Sequence, residues 1–505
     1  MTIANTEQIS DRQAFCEYEL PEGWDILPLG HCIDILDNLR IPVNSEERNT
    51  RHGSIPYYGA TGRVGWIDDF LFDEELLLLG EDGAPFLEKS KTVAYIIEGK
   101  SWVNNHAHVL RAIQGLTTNK FLKHYLNKFD FSDFVTGSTR LKLTQGAMKK
   151  IPVIVPPLAE QSRIVAKVEE LLARVNSTKT HLAKVSMILK RFRQAVLAAA
   201  CSGRLTADWR EKTLDVEPAS EFLRRIQQDR KKPKKPYLNR TSEEGDIYFD
   251  IPDSWFFCFF EDICSNKPHA IKAGPFGSSL TKSCYTPSGY KIYGQEQVIR
   301  GDANYGDYYI DEKKFLELKS CEVEVRDLLI SLVGTIGKVL IIPDKFEKGI
   351  INPRLVKVSL HSEISPEYIA KYLGSTLAIN MFKRDSHGGT MEILNLKMLK
   401  GLPIPLPPVI EQYEIVRRVE SMFKLADAVE KRVAAAAVRA EKLTQAILAK
   451  AFRGELVPTE AELSRRERRS YEPASVLLAR IKSERESKGG SKSFNRIRRP
   501  QRRVK

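Results

Sequence analysis

Residues 137–205 recur, without a gap and at a fixed offset of 251, as residues 388–456. Gly137 falls on Gly388 and Thr139 on Thr390. The run Ile151-Pro152-Val153-Ile154-Val155-Pro156-Pro157 matches Leu402-Pro403-Ile404-Pro405-Leu406-Pro407-Pro408. Glu160-Gln161 lands on Glu411-Gln412, Gln194-Ala195 on Gln445-Ala446, and Gly203-x-Leu205 on Gly454-x-Leu456. A chain built this way carries two copies of one large unit and can address two equivalent targets.

The repeat extends beyond its best-matched part. Pro21-Glu22-Gly23-Trp24 resembles Pro252-Asp253-Ser254-Trp255 and is expected to open each copy. The Glu217-Pro218-Ala219-Ser220 segment, matched by Glu472-Pro473-Ala474-Ser475, is expected to close each one. Between them, Arg230–Pro236 combines two prolines with like charges and suits a linker. The expected layout is a globular domain over 1–150, a long helix within 151–205, a tail and basic linker over 206–250, a second globular domain over 251–401, a second long helix within 402–456, and a C-terminal helix with a basic, disordered tail over 457–505.

A length of 505 residues is too great for one core. No apolar run reaches membrane-spanning length, and the polar N-terminus is unlike a signal peptide. Seven scattered cysteines without a CxxC pair suit free thiols in a reducing cytoplasm. The net charge of +13 is concentrated: residues 461–505 hold 15 Lys/Arg against 5 Asp/Glu. Charge alone therefore does not decide between a nucleic-acid arm and a solubilising tail.

Each globular domain reads as mixed α/β. Short Val/Ile/Leu-rich runs such as Thr92–Ile97, Leu328–Val333 and Val339–Ile342 have strand length and turn residues around them. A short helix recurs at Phe121–Lys128 and Tyr368–Ser375. After each Pro-Pro, apolar residues step by three and four along Val165, Val168, Leu172, Val175, Leu182, Leu189 and Val196, and again along Val416, Val419, Phe423, Ala426, Val433, Ala437, Ala440, Ile447 and Ala451. Some 42 residues would make a rod of about 60 Å. The linker permits either orientation; an antiparallel coiled coil, which relates the copies by a pseudo-twofold axis, is the expected arrangement. Lys179 and Glu430 hold equivalent seam positions and are expected to meet. Gln161, Leu182, Gln194, Gln412, Val433 and Gln445 are the further candidates for helix pairing or subunit docking.

Catalytic signatures are absent from the sequence. Gly334-Thr335-Ile336-Gly337-Lys338 lacks the first Gly and the final Ser/Thr of a phosphate loop, and Ile351-Asn352-Pro353-Arg354 is not the loop that positions an amino group for methylation. His106-Ala107-His108 has no carboxylate or Cys at metal-ligand spacing, so a polar surface loop is expected there. Recognition surface remains. Tyr57, Tyr58, Thr61 and Arg63 combine aromatic faces, a hydroxyl and a cation; Ser138, Thr139, Arg140 and Lys142 suit phosphates. Gln295 and Gln297 can pair with adenine edges and Arg300 with guanine, while Ser278 and Ser279 lie in a Gly/Ser loop. Asn105, Lys272, Arg354 and Thr390 complete the DNA-contact candidates.

Pro156-Pro157-Leu158-Ala159-Glu160-Gln161, Leu189-Lys190-Arg191-Phe192-Arg193-Gln194-Ala195-Val196-Leu197 and Leu443–Leu456 together resemble the specificity subunit of type I restriction–modification systems, over about 20–485. The resemblance implies two target-recognition domains reading the two halves of a split DNA site, with the helices as a ruler. It implies no catalysis or cofactor in this chain. It also implies two modification subunits that use S-adenosylmethionine and two restriction subunits that use ATP and Mg. A coiled-coil scaffold with protein-binding domains is the competing reading.

Overall fold

The computed structural model describes residues 20–88, 90–228, 249–332, 337–385 and 396–487. The linker around Arg230–Pro236, the tail from Gly489, Thr390 and most of the 334–338 loop lie outside these residues. The helices that frame the chain are α1 (Asn119–Leu126), α2 (Leu158–Cys201), α3 (Ala219–Gln228), α4 (Pro366–Leu373), α5 (Val409–Ala451) and α6 (Ala474–Ser487). Two compact units result: residues 1–183 with 434–505, and residues 184–433.

In the first unit, one antiparallel sheet runs in the spatial order Ile33–Ile35, Ala107–Ala112, Leu76–Gly80, Ala94–Ile97. A second sheet runs Gly62–Ile67, Ile55–Gly59, Lys100–Val103, Phe72–Asp73, and its central pair is parallel. Leu76–Leu79 is buried throughout because both of its faces are covered. Leu77 and Leu79 face the core containing α1, whereas Leu76 and Leu78 face Tyr57, Trp102 and the second sheet.

The second unit repeats this frame with different residues. Its antiparallel sheet runs Ile271–Ala273, Leu355–Val358, Leu328–Ser331, Val339–Ile341. Its other sheet again has a parallel pair, Tyr290–Tyr293 with Gly349–Ile351. Leu328 and Ile330 face one core and Leu329 the other. Tyr125 on α1 donates its hydroxyl to the Pro152 carbonyl at 2.7 Å, and Tyr372 on α4 does the same to Pro403 at 2.5 Å.

Helices α2 and α5 span 44 and 43 residues, about 65 Å each. Gly203 and Gly454 follow them with φ of +77° and +76°, the left-handed conformation that stops a helix. A Cβ at Gly203 would lie 2.4 Å from the Pro252 ring, and one at Gly454 would lie 2.6 Å from Pro21. The end of each helix therefore abuts the opening turn of the other copy's domain. The closing segments cross over too, which corrects the expectation that each closes its own copy. In α3, Ala219, Phe222, Leu223 and Ile226 enter the core of the 184–433 unit, while Ala474, Leu477 and Ile481 of α6 enter that of the first. The Ala219 N–H donates to the Ser254 carbonyl and the Ala474 N–H to that of Gly23, both at 3.0 Å.

The helices pair antiparallel. In the first unit Lys179 Nζ meets Glu441 at 2.7 Å; in the second, Arg193 meets Asp427 and Glu430, each at 2.7 Å. The expected Lys179–Glu430 pair does not form, because the register sets Glu441 opposite Lys179, eleven residues and about 16 Å beyond Glu430. Leu182 and Val433 are half-buried in the seam, but Ala437 is exposed and Ala436 points inward instead. From residue 176 to 195 no α2 side chain is fully buried, since the helix there has one neighbour rather than a surrounding core. Burial returns where the domains sit: Ile164 and Val168 on α2, Ile415 and Val419 on α5.

Ile415→Ala should therefore lower the unfolding free energy by about 2–5 kcal/mol. Leu425→Ala, on the same helix but 64% exposed, should change it by no more than about 0.5 kcal/mol. Urea titrations of the two variants check the contrast.

Candidate nucleic-acid interface

A buried carboxylate in the first turn of each long helix fixes the domain above it. Glu160 is fully buried and accepts the Trp24 indole N–H at 3.1 Å and the Glu460 backbone N–H at 2.8 Å. Burial pushes its carboxyl up from the ordinary range, against these donors and Arg163. Glu411 is equally buried and accepts the Trp255 indole at 2.8 Å and the Thr206 hydroxyl at 2.6 Å, with the Arg210 guanidinium also on its Oε1. Nearby, Arg163 pairs with Glu460 at 2.7 Å, whereas the equivalent Glu414 takes Arg417 at 2.7 Å and Arg418 at 2.6 Å.

The adjacent glutamines are fastened to the domains, which corrects their assignment to helix pairing or subunit docking. Gln161 Nε2 donates to the Leu116 and Pro156 carbonyls at 2.9 Å, and its Oε1 accepts from the Thr117 hydroxyl. Gln412 Nε2 donates to the Pro407 carbonyl at 3.1 Å and its Oε1 accepts the Ser365 N–H. At the other end, Gln194 reaches the Gly374 carbonyl at 3.4 Å, and Gln445 lines a cleft with Phe86 and Asn127. These glutamines also turn toward a domain.

In the first domain the chain brings several candidate contacts onto one concave face of about 1190 Å³. Thr61, Ser138, Thr139 and Arg140 line it with Gly59, Asp82, Asn104 and His106. Thr61 sits in the tight turn between Ile55–Gly59 and Gly62–Ile67; Ser138–Arg140 occupy the turn between the short strands Val135–Thr136 and Lys142–Leu143. Arg140 Nε pairs with Asp82 at 2.6 Å, and Lys142 lies 3.7 Å from Glu81. Arg63 is exposed and stacks 4.4 Å above the half-exposed Trp66 ring. Tyr58 is half-buried against Tyr95, and Asn105 is exposed in the turn before Ala107–Ala112. Tyr57 is a correction: it alternates inward, is 1% exposed and donates to the Val43 carbonyl at 3.2 Å. It cannot reach a ligand.

In the second domain the Asn352–Arg354 turn gathers the candidates. The Asn352 N–H donates to Tyr293 O at 2.8 Å and the Gly274 N–H to Leu355 O at 2.9 Å, joining the segments that lead to the short helix Gln295–Arg300 and to the Gly277–Ser279 turn. Gln295 donates to the Ser331 hydroxyl at 2.7 Å. Arg300 is exposed over the Tyr305 ring, Arg354 and Ser278 are exposed, and Lys272 and Ser279 are half-buried. Gln297 is a second correction. Its Oε1 accepts the Gly294 N–H at 2.9 Å and its Nε2 donates to Tyr305 O at 2.8 Å, so its amide is used within its own turn.

Sequence reasoning missed both tryptophan latches, although Pro-x-x-Trp repeats beside a repeated Glu-Gln. It also placed His108 on a surface loop. His108 is 1% exposed, on strand Ala107–Ala112, and Asp37 and Glu81 converge on it from distant positions. Their ligand atoms lie within 4.8 Å of one another, but the Arg40 guanidinium already bridges the carboxylates, 2.7 Å from Glu81 and 3.5 Å from Asp37.

The sequence matches the family model described as the type I restriction modification DNA specificity domain at residues 21–187 and 276–436. It is 32% identical over 365 residues to the type I restriction enzyme EcoBI specificity subunit of Escherichia coli, covering 71% of this chain and 70% of that one. Against the EcoKI specificity subunit of Escherichia coli strain K12 it is 28% identical over 512 residues, covering 94% and 98%. A chain solved in a study of complex assembly and conformational transition of the type I R-M system shares the fold, with a TM-score of 0.59 at 18% identity over 87% of this chain and all of that one. This chain thus belongs to the family of type I restriction–modification specificity subunits, and its two sheet-rich domains are target-recognition domains.

Removing the Glu411 carboxylate would leave the Arg210 cation and the Trp255 N–H without their acceptor. Glu411→Ala should destabilise the 184–433 unit by about 3–5 kcal/mol. Hydrogen exchange resolved by segment checks this: the loss of protection should fall on residues 184–433 and spare the sheets of the first unit.

Proposed function

We propose that each target-recognition domain reads one part of a bipartite duplex DNA sequence. The observation that carries this reading is that one frame is built twice from diverged residues on two helices of a single repeat. A protein of this construction presents two different surfaces on equivalent mounts. The first surface offers hydroxyls and a cation together at Thr61, Ser138, Thr139 and Arg140; the second sets Gln295 and Arg300 on one short helix and Arg354 on a turn bonded to the strand before it. Phosphate contacts fix register, and amide and guanidinium groups read base edges. Kinship with named specificity subunits supports the same role.

In this reading α2 and α5 act as a ruler that sets the spacer. Their exposed faces dock two modification subunits, and two restriction subunits complete the assembly. Methyl transfer with S-adenosylmethionine and ATP-driven cleavage with Mg belong to those partners in the cytoplasm, and this chain is non-catalytic. No helix among the described residues is long and apolar enough to cross a membrane.

Footprinting of the chain assembled with its modification subunit should show two protected patches flanking an unprotected gap. A lack of sequence-specific protection would favour the alternative, a protein-binding scaffold. Shortening α2 and α5 together by a few residues should change the accepted spacer and leave both half-sites intact, as read by mapping methylated adenine in a host genome. If Arg140 contacts a phosphate, Arg140→Ala should weaken binding to every sequence alike and reduce the slope of log affinity against log salt by about 0.9.

A further inference from the structure

We propose that His108, buried beneath the first domain's concave face, is a positioning residue for DNA recognition: its ring, held between Asp37 and the Leu143 carbonyl, clamps the 136–143 turn that carries Ser138, Thr139, Arg140 and Lys142. The inference rests on the reading of that face as a DNA contact surface.

The geometry around the ring is closed. Nε2 lies 2.9 Å from the Leu143 carbonyl, which can only accept a hydrogen bond. Nδ1 lies 2.7 Å from Asp37 Oδ2. Asp37 is held below its ordinary value: burial alone would raise it, but His108, the Val109 N–H and Arg40 outweigh that effect. The ring thus spans from the Asp37 carboxylate to the Leu143 carbonyl. Asp37 Oδ1 accepts the Val109 N–H at 2.8 Å, and Gln145 approaches Oδ2 at 3.3 Å. Arg40 pairs with both Asp37 and Glu81, so His108 is the fully buried member of a set whose other three side chains are half-buried. Lys142 lies at the edge of this set, 3.7 Å from Glu81, and Arg140, Asp82 and His106 form the next layer outward.

The turn depends on this set at its C-terminal end. The Leu143 N–H donates to the Glu81 carbonyl at 2.8 Å, and its carbonyl takes His108; the Gly83 N–H holds the Leu141 carbonyl at 2.9 Å. Ser138, Thr139, Arg140 and Lys142 are exposed and gain little from packing. Their placement follows from where Leu143 is pinned. Without the His108 ring the buried Leu143 carbonyl loses its partner, a penalty that the exposed side of the turn can relieve by opening.

The test uses the full chain with its modification subunit. In His108→Ala, amide exchange across 137–143 should quicken about tenfold or more, with unchanged protection at Leu328–Ser331. Affinity should fall by a similar factor for DNA altered only in the second half-site, where binding relies on the first domain, and much less for DNA altered only in the first. His108→Gln, able to donate to Leu143 alone, should fall between wild type and His108→Ala, and it stands in if the alanine variant does not fold. Unchanged exchange in the turn sinks the clamp. Faster exchange with unchanged affinity sinks its role in recognition. A wild-type complex without any sequence-specific footprint would instead refute the DNA reading, while the exchange results would still judge the clamp.

Discussion

The structure depends on a carboxylate placed inside the first turn of a long helix. Glu160 and Glu411 sit where the unpaired N–H groups and the positive end of a helix favour an anion, yet both are removed from water. Such a group is tolerated only with donors on all sides. In each unit the donors come from an opening-turn tryptophan and from the segment that follows the opposite long helix. One acceptor thereby ties together a domain, the start of one helix and the finish of the other. The solutions differ: a backbone N–H completes the first, a guanidinium the second. The charge swap between Arg163 and Glu414 follows from that difference. Kinship of frame does not require identity of partners.

The parts of the fold most legible in the sequence are those under that constraint. The Pro-Pro entry, the repeated Glu-Gln, the three-four apolar step and the terminating glycines stand out because three segments meet there and few residues fit. The sheets were legible only as strands of uncertain pairing. A strand covered on both faces, such as Leu76–Leu79, asks only for apolar side chains, so Leu328–Ser331 can hold the same position with little resemblance. The helix register was the failure. In the stretch where each long helix has a single neighbour, half-buried positions carry weak preferences, and the sequence could not distinguish Glu430 from Glu441 as the partner of Lys179.

For the candidate interface, turn composition led to Thr61 and Ser138–Arg140, which share one face. It misled at Tyr57 and Gln297. Strand alternation turns the first inward, and the second caps its own turn; residue type reveals neither. The polar cluster around His108 was invisible because Asp37, Glu81 and His108 have no motif spacing. Strand pairing brings them together, and spacing rules written for local ligand sets miss groups assembled across a sheet.

The crossing of the closing segments has a consequence for biosynthesis. The 184–433 unit is one uninterrupted stretch of chain, whereas the other needs residues from both ends. As the chain leaves the ribosome, the first domain emerges early but lacks α6 and the second half of α5. Ala474, Leu477, Ile481 and the Glu460 N–H reach it only after the whole 184–433 unit has been made. The domain made second can be completed first. The domain made first must wait with an apolar flank and a buried acid unmet, exposed in that interval to the misassembly that besets multidomain chains.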